Sequence, residues 1–443
     1  MTGPKITIVG GGSYSWGPLF VRDLLVAPGL QDAAIVLHDV DAQALATVYD
    51  LGQIMVQQHG GGRVERTLNL DEALRGADFV ILTITTGGLE AMRYDVEIPE
   101  RYDVYQAVGD TVGPGGLVRA LRNIPVVAAL AQKMEQLCPG AWLLNYTNPM
   151  TTLCRTVSKT SSIRTIGLCH EWHGVRDRLA VYFSVPASAL VPRIAGVNHL
   201  PWLLDLTVDG EDYMPQLQAL AVEILAQHEV FDDDPRSTVD RGMVKSRLLQ
   251  LYGGLPVAGD RHVAEFFPFF LTEAAGRGKA WGIDRTPIAE RYTWREMAQQ
   301  KIEYLMADAA ARDKFLARAS GEAAGEIITA LAADGRYAGI MNLPNRGQVP
   351  ALPTEAVVET LGVIEKGEAR GLPVGNIPPA IEAILRRHIA NQELTVEAAL
   401  TGSRELAQQA LLGDALCPPD IAAAEHMLEE MVAANRSYLP QFY

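Results

Sequence analysis

Cys169, His170 and Glu171 stand together where a short apolar run ends, and a second imidazole, His199, follows in Asn198-His199-Leu200. A thiolate and an imidazole can hold a divalent metal while leaving coordination positions open for substrate oxygens. On spacing alone, a buried cysteine and two hydrogen-bonded histidines are the more frequent arrangement, because two distant ligands make no motif. Asp260, Arg261 and His262 pack an acid, a guanidinium and an imidazole into one short stretch. Loops of that mixture carry sites, and equally they occur as solvated surface. Asn148, before Pro149, is a polar contact or simply a turn residue at a strand end.

These groups need elements that bring them together. The chain opens with Lys5-Ile-Thr-Ile-Val-Gly-Gly-Gly-Ser13, an apolar strand running into glycines, and Leu19–Leu25 then has helical apolar spacing. Strand, glycine turn and helix form a dinucleotide-binding opening, in which glycine lets the backbone approach a pyrophosphate at a helix N-terminus. Gly10 and Gly12 fit the first two glycines of the fingerprint, while Ser15 replaces the third. The second strand, Ala34–His38, ends at Asp39, placed to meet a ribose 2′-hydroxyl and so to favour NAD over NADP. Further strands are expected at Asp78–Thr85, Trp142–Pro149 and Thr165–Leu168, with helices over Ala42–Gln58 and Leu117–Cys138 between them. Arg93–Gly116, with the run Gly109-Asp-Thr-Val-Gly-Pro-Gly-Gly116, reads as irregular. Ligands collect at strand carboxyl ends in such sheets. Gly10, Gly11, Gly12, Ser13, Thr85, Asn145, Asn148 and Cys169–Glu171 should therefore share one rim.

The fold expected is α/β, a Rossmann-like doubly wound parallel sheet over 1–196, followed by a mixed α+β domain over 197–443. In the second part Gly196–Val208 reads as one strand ending in an Asp209-Gly210 turn. Long helices are expected over Thr293–Ala319 and Leu394–Leu411, with a loop-rich stretch over Asn342–Gly375. That domain would cap the cofactor site and supply subunit contacts.

Composition narrows the function classes. The chain has 443 residues and a net charge of −15, which offers no basic field for nucleic acid or anionic membrane. Four cysteines, Cys138, Cys154, Cys169 and Cys417, are too few and too scattered for a disulfide framework or a zinc motif. No apolar run is long enough to span a bilayer, and the first strand begins too early to leave room for a signal peptide. A cytoplasmic enzyme acting on a small molecule is the expectation.

Taken together, the motifs resemble family-4 glycoside hydrolases. The resemblance rests on Gly10–Ser13, Asp39, Gly113-Pro-Gly-Gly-Leu-Val-Arg-Ala-Leu-Arg122, Asn145-Tyr-Thr-Asn-Pro-Met150, Cys169-His-Glu171, Gly196-Val-Asn-His199 and Ala434-Asn-Arg-Ser-Tyr-Leu-Pro-Gln-Phe442, all in order. It implies NAD and Mn2+ as cofactors, Cys169 and His199 as metal ligands, and a homodimer or homotetramer. The implied mechanism oxidises the sugar at C3, removes the acidified C2 proton, eliminates the aglycone, adds water and re-reduces C3. Such enzymes stand outside the two-carboxylate scheme. Several members use a tyrosine base in the region that here holds Asp260, so Asp260 is the expected base, with His262 behind it. His170 is the expected acid or aglycone-positioning group, and Asn148 and Arg93 are expected substrate contacts. The Cys-His-Glu form resembles the α-galacturonidase-like members and implies an unphosphorylated α-hexuronide. Arg261 and His262 would then meet the carboxylate, and Glu171 would have to be paired or turned away. Runner-up readings are a neutral α-glucosidase or α-galactosidase, a 6-phosphoglycosidase, a lactate/malate-type dehydrogenase, and an NAD-sensing regulator that binds sugar without turnover.

Overall fold

A computed structural model describes residues 3–226, 240–318, 320–333 and 335–443. Its strands are β1 (Lys5–Val9), β2 (Ala34–His38), β3 (Arg63–Thr67), β4 (Phe79–Leu82), β5 (Trp142–Asn145), β6 (Arg164–Gly167), β7 (Leu190–Val197), β8 (Leu200–Val208), β9 (Glu211–Asp212), β10 (Leu255–Pro256), β11 (Arg336–Pro344), β12 (Val357–Glu365) and β13 (Glu368–Gly371). All belong to one sheet, ordered β10-β8-β7-β12-β11-β6-β5-β4-β1-β2-β3, with β13 beside β12 and β9 beside β8. From β3 to β6 the strands are parallel. Their order, 3-2-1-4-5-6, is that of dinucleotide-binding sheets, with a switch point between β1 and β4. Beyond β6 the pairing turns antiparallel, beginning with Asn342 of β11 against Gly167.

Side chains alternate across the parallel strands as a sheet covered on both faces requires. Phe79, Ile81, Trp142 and Leu144 join one apolar cluster with Ile6, Ile8, Ile35 and Leu37. Val80, Leu82 and Leu143 join the opposite one with the long helix Gly113–Leu137. The α/β reading thus holds. A proposed division into units 1–196 and 197–443 would have to share this one sheet, since residue 197 closes β7.

Several local expectations differ from the structure. β3 was not expected: its Arg-Val-Glu-Arg-Thr buries only Val64, the charged pattern of an edge strand protected from further pairing. The stretch Arg93–Gly116, read as irregular, begins inside a helix, Gly88–Glu100, whose inward positions include Asp95, so an acid hides the apolar period. Gly196–Val208 is two strands folded at Asn198-His199, a two-residue turn without glycine. The expected helix over Thr293–Ala319 is Ile288–Ala307 and Ala309–Leu316, divided at Asp308, which caps the second through Ala311 N; Ala319 lies outside the described residues. Leu394–Leu411 spans two helices broken at Gly402, whose φ is 70°. The stretch Asn342–Gly375 carries β12 and β13.

One buried ion pair fastens the layer beneath the rim. Arg122, on the long helix, gives Nη1 and Nη2 to the two oxygens of Asp95 at 2.7 and 2.6 Å, and its Nε reaches the Thr86 carbonyl. The two side chains are 1% and 0% exposed. Removing one partner strands a buried charge, so Asp95→Ala is expected to lower unfolding free energy by about 3–5 kcal/mol. The double variant Asp95→Leu/Arg122→Met should recover most of it. Urea denaturation of the three proteins measures both, and an Asp95→Ala protein within about 1 kcal/mol of wild type would contradict the role.

Candidate active site

The glycine turn after β1 is built from backbone demands. The N–H groups of Gly10 and Gly11 both donate to the His38 carbonyl at 2.9 Å, tying the turn to the end of β2. Gly10 has φ 93°, and a Cβ there would lie 1.9 Å from the Thr83 carbonyl oxygen, so only glycine fits. Asp39 accepts from Gly12 N at 2.9 Å and from Asp41 N at 3.0 Å. It is half-buried at the β2 end, and each carboxylate oxygen keeps a lone pair for a ribose hydroxyl. The turn, the β1–β4 switch point and Asp39 therefore fit a dinucleotide. Ser13 helps close the turn, its Oγ accepting from Trp16 N. Asn145 is fully buried and folded onto its own turn, bonding Thr147 N and O. Thr85 accepts from Arg119 Nη2 at 3.0 Å.

Next to this end of the sheet lies a cleft of about 240 Å³, lined among others by Asn148, Cys169, His170, Glu171, His199, Arg261 and His262. Of the residues expected on the rim, Asn148 and Cys169–Glu171 line the cleft, where His199, Arg261 and His262 from the second part of the chain join them; Gly10–Ser13, Thr85 and Asn145 do not line it. His199 sits in the β7–β8 turn with φ 65°. A residue other than glycine costs roughly 1–3 kcal/mol in such backbone, a strain that clusters at functional sites. The irregular segment before the long helix adds Asp110 to the cleft. The ligand atoms of Asp110, His199 and His262 lie within 4.8 Å of one another.

Hydrogen bonds settle how His199 is presented. Thr111 Oγ1 donates to Asp110 Oδ1 at 2.7 Å and lies 2.8 Å from His199 Nδ1. Its single proton being given to the carboxylate, Thr111 must accept from His199 Nδ1–H. The other nitrogen, Nε2, then carries the lone pair a metal needs. Burial, with His262 stacked on the ring at 3.7 Å, pushes the His199 imidazole down to about 3, keeping it neutral. Burial alone would raise the Asp110 carboxyl, but His262, His199 and Arg119 hold it well below its ordinary range. Asn148 Nδ2 donates to the other Asp110 oxygen at 3.1 Å. An ionised carboxylate and a neutral imidazole, with the His262 ring beside them, form a donor set that fits a divalent transition ion. Cys169, the other expected ligand, lines the same cleft but is not part of that close set, and burial pushes its thiol well above its ordinary range.

Glu171 is answered by the backbone: its Oε2 accepts from Gly259 N at 2.6 Å. Its carboxyl lies below the usual range, because the neighbouring histidines outweigh burial. His170 is exposed, with Nδ1 3.3 Å from Glu322 Oε1; this hydrogen bond raises its pKa and favours the proton-carrying form.

Two of the residues expected to catalyse or to contact substrate are not brought to the cleft. Asp260 is 2% exposed and turned to the helix Met243–Tyr252, accepting from Val244 N at 2.9 Å and Lys245 N at 3.1 Å. It caps that helix from a distance, meeting donors that a helix start leaves unpaired. Arg93 pairs with Glu90 and Tyr94 on its own helix. Sequence reading missed Asp110, Arg291, Glu322, Trp16 and Trp294, all cleft-lining. Asp110 lay in the noted run Gly109–Gly116; the others sit in no motif.

A model of the family 4 glycosyl hydrolases matches residues 5–185, and that of the family 4 C-terminal domain matches 194–417. The chain is 34% identical to an α-galacturonidase of Bacillus subtilis (strain 168), over 97% of this chain and 96% of the relative. The crystal structure of the putative glucosidase lplD from Bacillus subtilis superposes with a TM-score of 0.88 at 33% identity, covering 97% of this chain and 100% of that one. A 6-phospho-α-glucosidase from gut microorganisms, in complex with NAD and Mn2+, superposes with a TM-score of 0.84 at 22% identity and full coverage of both chains. With both parts matched and a full-length relative above 30% identity, the chain belongs to family 4 of the glycosyl hydrolases.

Proposed function

We propose that this glycoside hydrolase uses NAD and Mn2+ to cleave an unphosphorylated α-hexuronide, with an α-galacturonide as the preferred substrate. The observation that carries the substrate is a pair of guanidinium groups on the cleft, Arg261 and Arg291. Neither forms an ion pair among the described residues. Arg291 gives Nη2 to the Val108 carbonyl, Arg261 gives Nη2 to that of Ala107, and the Nε of each has no partner there. Two unpaired cations suit a sugar carboxylate. The likeness to an α-galacturonidase supports the same choice, and Glu171, engaged by Gly259, is a weaker obstacle than a free acid would be.

When bound, the dinucleotide would exchange hydride with C3 and the ion would act as a Lewis acid on the sugar oxygens. His199 and Asp110, with Cys169 beside them, would hold the ion, and the Gly10–Ser13 turn with Asp39 would hold the dinucleotide. Asn148 orients Asp110 and reaches the sugar hydroxyls. His170, with its proton favoured by Glu322, protonates the departing aglycone oxygen. With Asp260 spent on a helix start, we assign the C2 proton to His262, whose Nδ1 is buried without a hydrogen-bond partner among the described residues, 3.8 Å from Asp110 Oδ1. A reducing cytoplasmic setting suits the four free cysteines; among the described residues no helix is long and apolar enough to cross a membrane. A homodimer or homotetramer suits the exposed Tyr292, Met297 and Tyr304 on one helix.

Dialysis against a chelator, or exhaustive removal of NAD, is expected to abolish hydrolysis, and re-addition of both to restore it; full activity without them contradicts the mechanism. Single-turnover absorbance separates the two base assignments. His262→Gln is expected to reduce bound NAD+ yet fail in steady state. Asp260→Asn should keep turnover within about tenfold of wild type, a barrier change under roughly 1.4 kcal/mol. The reverse pattern returns the role to Asp260. For the substrate, kcat/KM is compared on 4-nitrophenyl α-galacturonide, α-galactoside, α-glucoside and the 6-phosphates of the neutral pair. A charge-assisted hydrogen bond of about 1.5–3 kcal/mol predicts roughly a tenfold to hundredfold preference for the uronide, and Arg291→Gln should erase most of it. A neutral or phosphorylated sugar winning by about tenfold overturns the uronide assignment and leaves the mechanism standing.

A further inference from the structure

Glu265 is wholly buried, directly after the short helix that carries Arg261 and His262, and it does not line the cleft. Its Oε1 accepts two successive backbone donors, Val108 N at 2.6 Å and Gly109 N at 2.8 Å. Its Oε2 has no partner among the described residues. The carbonyls of the same stretch are held from outside as well. Ala107 O receives Thr286 N at 3.1 Å and Arg261 Nη2 at 3.3 Å, and Val108 O receives Arg291 Nη2 at 2.7 Å.

The residues that follow are Asp110 and Thr111, whose side chains set the His199 tautomer. Gly109 itself has φ 73° and, lacking a side chain, cannot hold its own conformation. We propose that Glu265 is a positioning residue, whose single carboxyl oxygen fixes the Val108–Gly109 backbone so that Asp110 and Thr111 meet His199 and His262 in one geometry. This rests on the reading of Asp110 and His199 as metal ligands.

The chemistry of the clamp favours an acceptor over a charge. An apolar side chain would fill the space but leave two buried N–H groups unmet. Burial pushes the Glu265 carboxyl up to about 8, so near neutrality the clamp works as an uncharged acid, and glutamine carries an equivalent acceptor oxygen.

The test compares Glu265→Ala and Glu265→Gln in the full chain. Readouts are amide hydrogen exchange at Val108 and Gly109 without metal, Mn2+ affinity by electron paramagnetic resonance, kcat and KM on the galacturonide, and NAD+ affinity. Glu265→Ala is expected to speed exchange and weaken Mn2+ binding by about tenfold to a hundredfold, the usual effect of losing an outer support of a metal ligand. Its kcat should fall more than KM rises, and NAD+ affinity should stay unchanged, which a general loss of structure would not allow. Glu265→Gln should stay within about threefold of wild type throughout, well short of that loss. Wild-type Mn2+ affinity in Glu265→Ala, or a Glu265→Gln protein as impaired as Glu265→Ala, overturns the proposal. If Glu265→Ala does not fold, Glu265→Asp, one methylene too short to reach both donors, takes its place with the same expectations. If the wild-type protein itself binds no Mn2+, the metal reading fails, and exchange at Val108 and Gly109 alone judges the clamp.

Discussion

A stretch of irregular backbone can be buried only if something answers its N–H and C=O groups. Residues Val104–Gly109 are buried with no strand beside them, and their polar groups are met by side chains from distant parts of the chain. Gln106 turns back to the Asp95 carbonyl and the Gly115 amide. Glu265 meets the Val108 and Gly109 amides, and Arg261 and Arg291 meet the Ala107 and Val108 carbonyls. The active-site geometry depends on this constraint, because the held segment delivers Asp110 and Thr111. Its glycines follow from the same crowding: a Cβ on Gly115 would stand 2.9 Å from the carbonyl oxygens of Asp95 and Gly109.

The electrostatics of the cleft follow from that placement. Two imidazoles stacked at 3.7 Å do not share the cost of two positive charges in a buried site, and burial keeps His199 neutral. Asp110 beside them stays ionised. One hydroxyl, that of Thr111, links the carboxylate to the ring and decides which nitrogen faces outward. Such outer contacts tune a metal ligand as much as the ligand's own identity does.

The sheet supplies the stage. The parallel half offers strand carboxyl ends around a switch point, and the antiparallel half extends the same hydrogen-bonded surface. Through the β7–β8 turn it places His199 opposite the residues that follow β6. Arg291 and Glu322 reach the cleft from the second half of the chain, so one binding pocket draws on both parts of the molecule.

The order of chemistry was legible in the linear chain. The Gly10–Gly12 turn, Asp39 and the strand-end placement of Asn148 and Cys169–Glu171 follow from local rules: apolar periodicity marks strands, glycine marks a tight approach, and strand ends mark a rim. Sequence could not place Asp260, because an acid that serves a catalytic site and one that caps another helix have the same letter; the partner, 15 or more residues away, decides. Nor could it find Glu265, Arg291 or Glu322, which lie in no local pattern. The contacts that give Glu265 and Arg291 their roles span 156 to 183 positions of chain. Spacing along a chain governs which side chains share a helix face or a strand end. Which acid meets which amide across the interior is decided by packing, and only the folded structure holds that information.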